Sequence, residues 1–120
     1  MSTPLTRLRA LCLALPEAVE KETWATPTFR VREKIFAMVH DGKGGGVWCK
    51  APRGTQTLLV EAAPARFFVP PYVGHKGWIG VRLDSRTEWE EMAAIIRRSY
   101  AMTAPKRLAA LVLEPASPRT

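Results

Sequence analysis

With 120 residues, 47% of them hydrophobic, the chain suits one domain whose core needs no disulfide or metal staple. Eighteen Lys and Arg against eleven Asp and Glu give a net charge of +7, which turns attention to polyanionic partners and leaves a merely basic surface as the alternative. Two cysteines far apart in sequence, Cys12 and Cys49, exclude a disulfide framework or a thiolate metal cluster and fit a reducing cytoplasm.

Thr3 is placed to cap a helix beginning at Pro4, with Leu5, Leu8, Leu11, Cys12 and Leu15 on one stripe and Pro16 as its stop. The apolar run from Ala10 to Leu15 is too short for a secretory core or a membrane span, so the segment reads as part of the fold and no membrane partner is expected. A first strand is expected over Glu20–Trp24. After Pro27, the alternation Thr28-Phe-Arg-Val-Arg32 predicts a second strand with Phe29 and Val31 inward and Arg30 and Arg32 outward. Glu33-Lys34 breaks it before a third strand, Ile35–His40, so the two form a hairpin. Asp41–Gly46 predicts a glycine turn into a fourth strand, Val47–Lys50.

Pro52–Ala63 reads as a helix weakened by Gly54 and its threonines. Phe67–Tyr72 is expected to be an extended connection, limited by Pro70 and Pro71. Trp78–Leu83 alternates as the last strand, with Ile79, Val81 and Leu83 on one face and Trp78 and Arg82 on the other. Ser85-x-x-Glu88 and Thr87-x-x-Glu90 are overlapping capping boxes for a helix running to about Met102. Pro105 opens a short final helix, and residues 115–120 read as a frayed tail behind a single domain, 1–114. The element order predicts an α+β domain, a two-layer sandwich with a mainly antiparallel sheet of about five strands and helices on one face.

Three groups carry possible chemistry. Strand parity gathers Arg30, Arg32, Trp48, Lys50, Trp78 and Arg82 on the sheet face away from the helices. Cations would neutralise phosphates there while indole rings stack on bases. The competing structural reading is two Trp packed across strands beneath arginine stems. The segment Tyr72-Val-Gly-His-Lys-Gly-Trp78 combines glycines that let backbone approach a ligand with Tyr72, His75 and Lys76; as plain structure it is a rigid turn. Lys106 and Arg107 stand at a helix start, where exposed amides favour a phosphate.

An enzyme is disfavoured, because no nucleophile–base pair is visible and His40 and His75 are isolated. No cofactor and no metal site are expected. Glu17, Glu20 and Glu22 form at most a short acidic ridge broken by Lys21.

The stretch Arg66-Phe-Phe-Val-Pro-Pro-Tyr-Val-Gly-His-Lys-Gly-Trp-Ile-Gly-Val-Arg-Leu83, with Pro27-Thr-Phe-Arg-Val-Arg32, Lys34-Ile-Phe-Ala37 and Ser99-Tyr-Ala-Met-Thr-Ala-Pro-Lys-Arg107, resembles the MmcQ/YjbR family over nearly the whole chain. That family comprises small bacterial proteins commonly labelled DNA-binding. The resemblance implies a frataxin-like, double-wing fold and DNA as the partner. On this reading Arg30, Arg32, Lys50, Lys76, Arg82, Lys106 and Arg107 meet phosphates, and Trp48, Trp78 and Tyr72 stack, with His75 beside them. The alternative is a module that binds an anionic small molecule or an acidic protein segment at the Tyr72–Trp78 loop.

Overall fold

The computed structural model describes residues 3–23, 25–40 and 46–113. Helix α1 spans Pro4–Leu13, and Thr3 Oγ1 accepts from the Thr6 amide at 3.1 Å, the cap expected of a threonine ahead of proline. It ends short of the Leu15 boundary expected from sequence, because the two residues before Pro16 already leave the helix. Strands β1 (Val19–Thr23), β2 (Thr26–Val31), β3 (Lys34–His40) and β4 (Gly46–Cys49) follow as an antiparallel meander. Trp24 and the Asp41–Gly45 part of the glycine turn lie outside the described residues, as does the tail.

Helix α2 (Thr55–Ala62) leads to β5, a two-residue strand at Phe67–Phe68. Sequence reading treats this pair as connection, since two residues carry no period. The strand exists because β6 (Ile79–Val81) offers it a free edge: Phe67 pairs Val81 and Phe68 pairs Gly80. Among the described residues the sheet therefore has six strands rather than about five, in the order β1-β2-β3-β4-β6-β5, all neighbours antiparallel. The last helices are α3 (Trp89–Thr103) and α4 (Lys106–Leu113). The expected capping boxes do not form. Glu88 occupies the cap position of α3 without a side-chain bond, while Thr87 Oγ1 accepts from the Asp84 amide and donates to the Arg82 carbonyl. Local turn bonding takes the hydroxyl that a cap would need.

The core lies between the helices and the sheet face bearing Phe29, Val31, Val39, Val47, Cys49, Ile79 and Val81. Where β2 meets β3, register shifts between Phe29 and Arg30, and the bulge lets consecutive residues Phe36 and Ala37 both bury. Phe36 meets Tyr100 of α3 edge-on at 5.5 Å, and the Tyr100 hydroxyl donates to the Pro16 carbonyl at 2.7 Å. This pair ties the helix layer to the sheet and to the end of the α1 segment. Fully burying a ring of this size contributes about 1.5–3 kcal/mol.

The β2–β3 connection is a two-residue turn, Arg32-Glu33, in which φ is +51° and +73°. Two positive φ values match the twist of a tight hairpin, but that geometry favours Asn-Gly rather than two long side chains. Each such residue costs about 1–2 kcal/mol. Replacing Glu33 alone with Gly is expected to raise unfolding stability by about 1 kcal/mol, visible as a higher urea midpoint; no rise would show that Glu33 carries no strain.

Candidate functional site

The sheet face away from the core carries a row set by strand register. Thr28 pairs Met38, Met38 pairs Trp48, Trp48 pairs Gly80 and Gly80 pairs Phe68. Gly80 is required there, because a Cβ would overlap the Phe68 ring. Arg30 and Arg82 fall on this face by the same alternation. Arg30 donates through Nε to Thr28 Oγ1 at 3.1 Å and through Nη2 to Thr23 Oγ1 at 2.7 Å. The Arg82 guanidinium lies 4.8 Å from the Phe68 ring centroid and donates to the Ala65 carbonyl. Both arginines are thus oriented by neutral groups.

A cavity of about 410 Å³ opens on this face, lined by Thr26, Met38, Val39, His40, Trp48, Tyr72 and Val73. Its walls are mainly apolar. His40 and Trp48 stack with ring centroids 4.6 Å apart and planes within 13°. His40 Nδ1 and Trp48 Nε1 are sealed from solvent without a hydrogen-bond partner among the described residues. Tyr72 stands at the other side, 84% exposed, with φ at +67°, a backbone state that disfavours a bulky residue. The loop bearing it is held by Gln56 of α2, whose Nε2 donates to the carbonyls of Gly74 at 2.8 Å and Trp78 at 2.6 Å.

The chain then forms a 3-10 turn, Gly74–Lys76, closed by Gly77 at φ +86°. His75 and Lys76 are exposed on it. Lys76 acts on Lys50, which is half-buried just beyond β4: burial lowers the Lys50 pKa, and the charges of Lys34 and Lys76 lower it further. Among the described residues no carboxylate offsets them. Lys34 of β3 and Lys76 of the loop therefore both oppose the charge on Lys50.

Other expected residues lie elsewhere or inward. Trp48 and Trp78 are only 4% and 8% exposed, so neither indole offers an open stacking face, a correction to the reading by parity alone. Parity assigns a face but not what covers it. Arg32 is a turn residue rather than a strand residue. It is paired with Glu17 through Nε–Oε1 at 2.6 Å and Nη2–Oε2 at 3.1 Å. The Arg32 hydrogen bond holds the Glu17 carboxyl below its ordinary pKa, with Arg107 adding a smaller electrostatic pull. Lys106 and Arg107 are exposed on the first turn of α4 and do not line the cavity; Arg107 acts on Glu17 instead. Sequence reading missed Met38, His40 and Lys34. The first two share the parity of Trp48 through cross-strand pairing, a signal that only the strand register exposes.

Both cysteines lie in the core. Burial raises the pKa of each, Cys49 to about 12. Neither is a nucleophile at neutral pH. Thiol reagents are expected to label them only after unfolding, at the unfolding-limited rate. The unfolded chain releases thiol protons from about pH 9 while the native chain retains them, so this contribution to stability is complete below pH 9 and falls as pH rises above it. Rapid labelling of the native protein at pH 7 would contradict the burial.

Among the described residues, no group of three or more His, Cys, Asp or Glu could hold a metal ion, and no helix is long and apolar enough to cross a membrane. A six-stranded antiparallel sheet with helices on one face, and an aromatic cavity with a lysine cluster outside the core, defines a two-layer α+β sandwich domain. The chain belongs to the YjbR family, whose model matches residues 13–102. Its fold is similar to the crystal structure of Deinococcus radiodurans protein DR2400, which carries the DUF419 domain, with a TM-score of 0.75 over 99% of this chain and 96% of that one. Identity is 21%, so the likeness concerns the fold. No curated protein gives a significant match.

Proposed function

We propose that this protein binds nucleic acid without catalysing a reaction, through the outer sheet face and the loop from Pro70 to Trp78. The observation that carries this reading is Lys50, half-buried just beyond β4, whose charge is opposed by burial and by Lys34 and Lys76. An approaching phosphate favours the charged ammonium and so offsets both the repulsion and the lost hydration. The wider charge distribution supports it: the chain carries +7, and among the described residues only Arg9, Arg32 and Arg66 form salt bridges. Arg30 adds a cation on the outer face, oriented by threonines and accessible to a phosphate oxygen.

Fluorescence anisotropy with labelled single- and double-stranded oligonucleotides, in low salt, tests this reading. Binding that weakens on charge reversal at Lys50 supports it, and an absence of binding to either form sinks it. A second reading, an anionic small molecule seated at the Tyr72 loop, is favoured by the cavity volume, which falls within the range of small-ligand sites. Thermal stabilisation by a nucleotide or organic acid, with no response to oligonucleotides, would establish it instead.

A further inference from the structure

We propose that the cavity between the His40–Trp48 stack and Tyr72 receives one unstacked base of a single strand, while the flanking phosphates stay outside on the lysines. The proposal rests on the nucleic-acid reading and specifies what the outer face reads. Three features of the cavity select the occupant. Its walls, from Met38, Val39, Trp48 and Val73, are apolar, so a phosphate inside would lose its hydration without a cation to replace it. Its volume of about 410 Å³ admits a heteroaromatic ring and excludes a duplex. Its Tyr72 ring is exposed, on a backbone conformation that costs about 1–2 kcal/mol for a residue other than glycine.

Strain of this kind at an exposed aromatic is accounted for when the ring clamps a ligand. The second wall, His40 on Trp48, is already a parallel stack with centroids 4.6 Å apart, so a flat ring entering the cavity meets a flat aromatic surface. Charge is arranged to match. Arg30 is bonded to Thr28, the cross-strand partner of the cavity residue Met38, and Lys76 is four residues beyond Tyr72 on the same loop. Lys50 lies two residues beyond Trp48, about 7 Å along the chain. A strand with one base in the cavity would run its neighbouring phosphates toward these cations.

The test compares an oligothymidylate with an abasic strand of the same length and label, which carries the same charge but no bases. The native protein is expected to bind the intact strand about tenfold more tightly, the factor that stacking of one base supplies. Tyr72→Gly removes the ring and relieves the positive φ, so the variant keeps or gains melting temperature while its affinity for the intact strand falls to the abasic level. Val73→Phe fills the cavity and is expected to do the same, with abasic binding unchanged in both variants. Equal affinity of the native protein for the two strands overturns the base cavity and leaves phosphate binding standing. Failure to bind either strand overturns both. Free thymidine binding as tightly as the strand would reassign the cavity to nucleosides and overturn the strand reading.

Discussion

Gly46→Ala is expected to lower unfolding stability by about 3 kcal/mol and the melting temperature by roughly 10–20 °C. Gly46 starts β4 at φ +149°, opposite His40, and a Cβ built on it would run into the carbonyl group of Val81 in β6. That obstacle is backbone. A side chain could rotate away, but moving the Val81 carbonyl disturbs the β4–β6 pairing of Val47 with Val81. Overpacking costs about 1–3 kcal/mol, and the unfavourable φ adds to it. Gly54→Ala separates the two causes, since Gly54 also has positive φ, +87°, but nothing stands within 4 Å of its absent Cβ. It should cost only the backbone part, about 1–2 kcal/mol. Equal losses at the two positions, read from urea unfolding curves, would show that the Val81 contact is of no consequence.

Oligonucleotide affinity is expected to fall about fifty-fold between roughly 50 and 200 mM salt. This follows if about four cations, Lys34, Lys50, Lys76 and Arg30, each displace counterions from a single strand, giving a slope near −3 in log affinity against log salt. Lys50→Glu is the most informative variant. The new carboxylate would meet the charges of Lys34 and Lys76 and replace repulsion by attraction, so folding stability is expected to hold or rise. Binding is expected to fall at least tenfold, with a shallower salt slope. A variant that loses affinity because it is poorly folded would show the opposite stability change. Salt-independent binding would mean that the cluster does not meet phosphates.

Periodic segments are legible in the amino-acid order alone. The α1 stripe with its Thr3 cap, the alternation through Phe29 and Val31, and the long stripe of α3 each bury an apolar face that local chemistry already marks. Short or contested elements are not. Phe67–Phe68 becomes a strand only because β6 lies beside it, and Thr87 turns from cap to turn residue because Asp84 and Arg82 are nearby. The outer-face residues Arg30, Trp48 and Arg82 are visible as a parity set, and the register brings them to one face. Their accessibility is not visible, since the Tyr72–Val73 loop, distant in sequence, and the His40 ring of the neighbouring strand line the same cavity as Trp48.

By itself the sequence determined a basic α+β chain of the YjbR type with one core, because hydrophobic period, turn residues and net charge are local or summed properties. Tertiary structure alone decided that Trp48 is a cavity wall, that Arg32 is engaged by Glu17, and that Lys34 and Lys76 act on Lys50. The physical reason is that charge and burial act through space. Residues far apart in order become one electrostatic or apolar surface only after the strands have paired and the loop has closed over them.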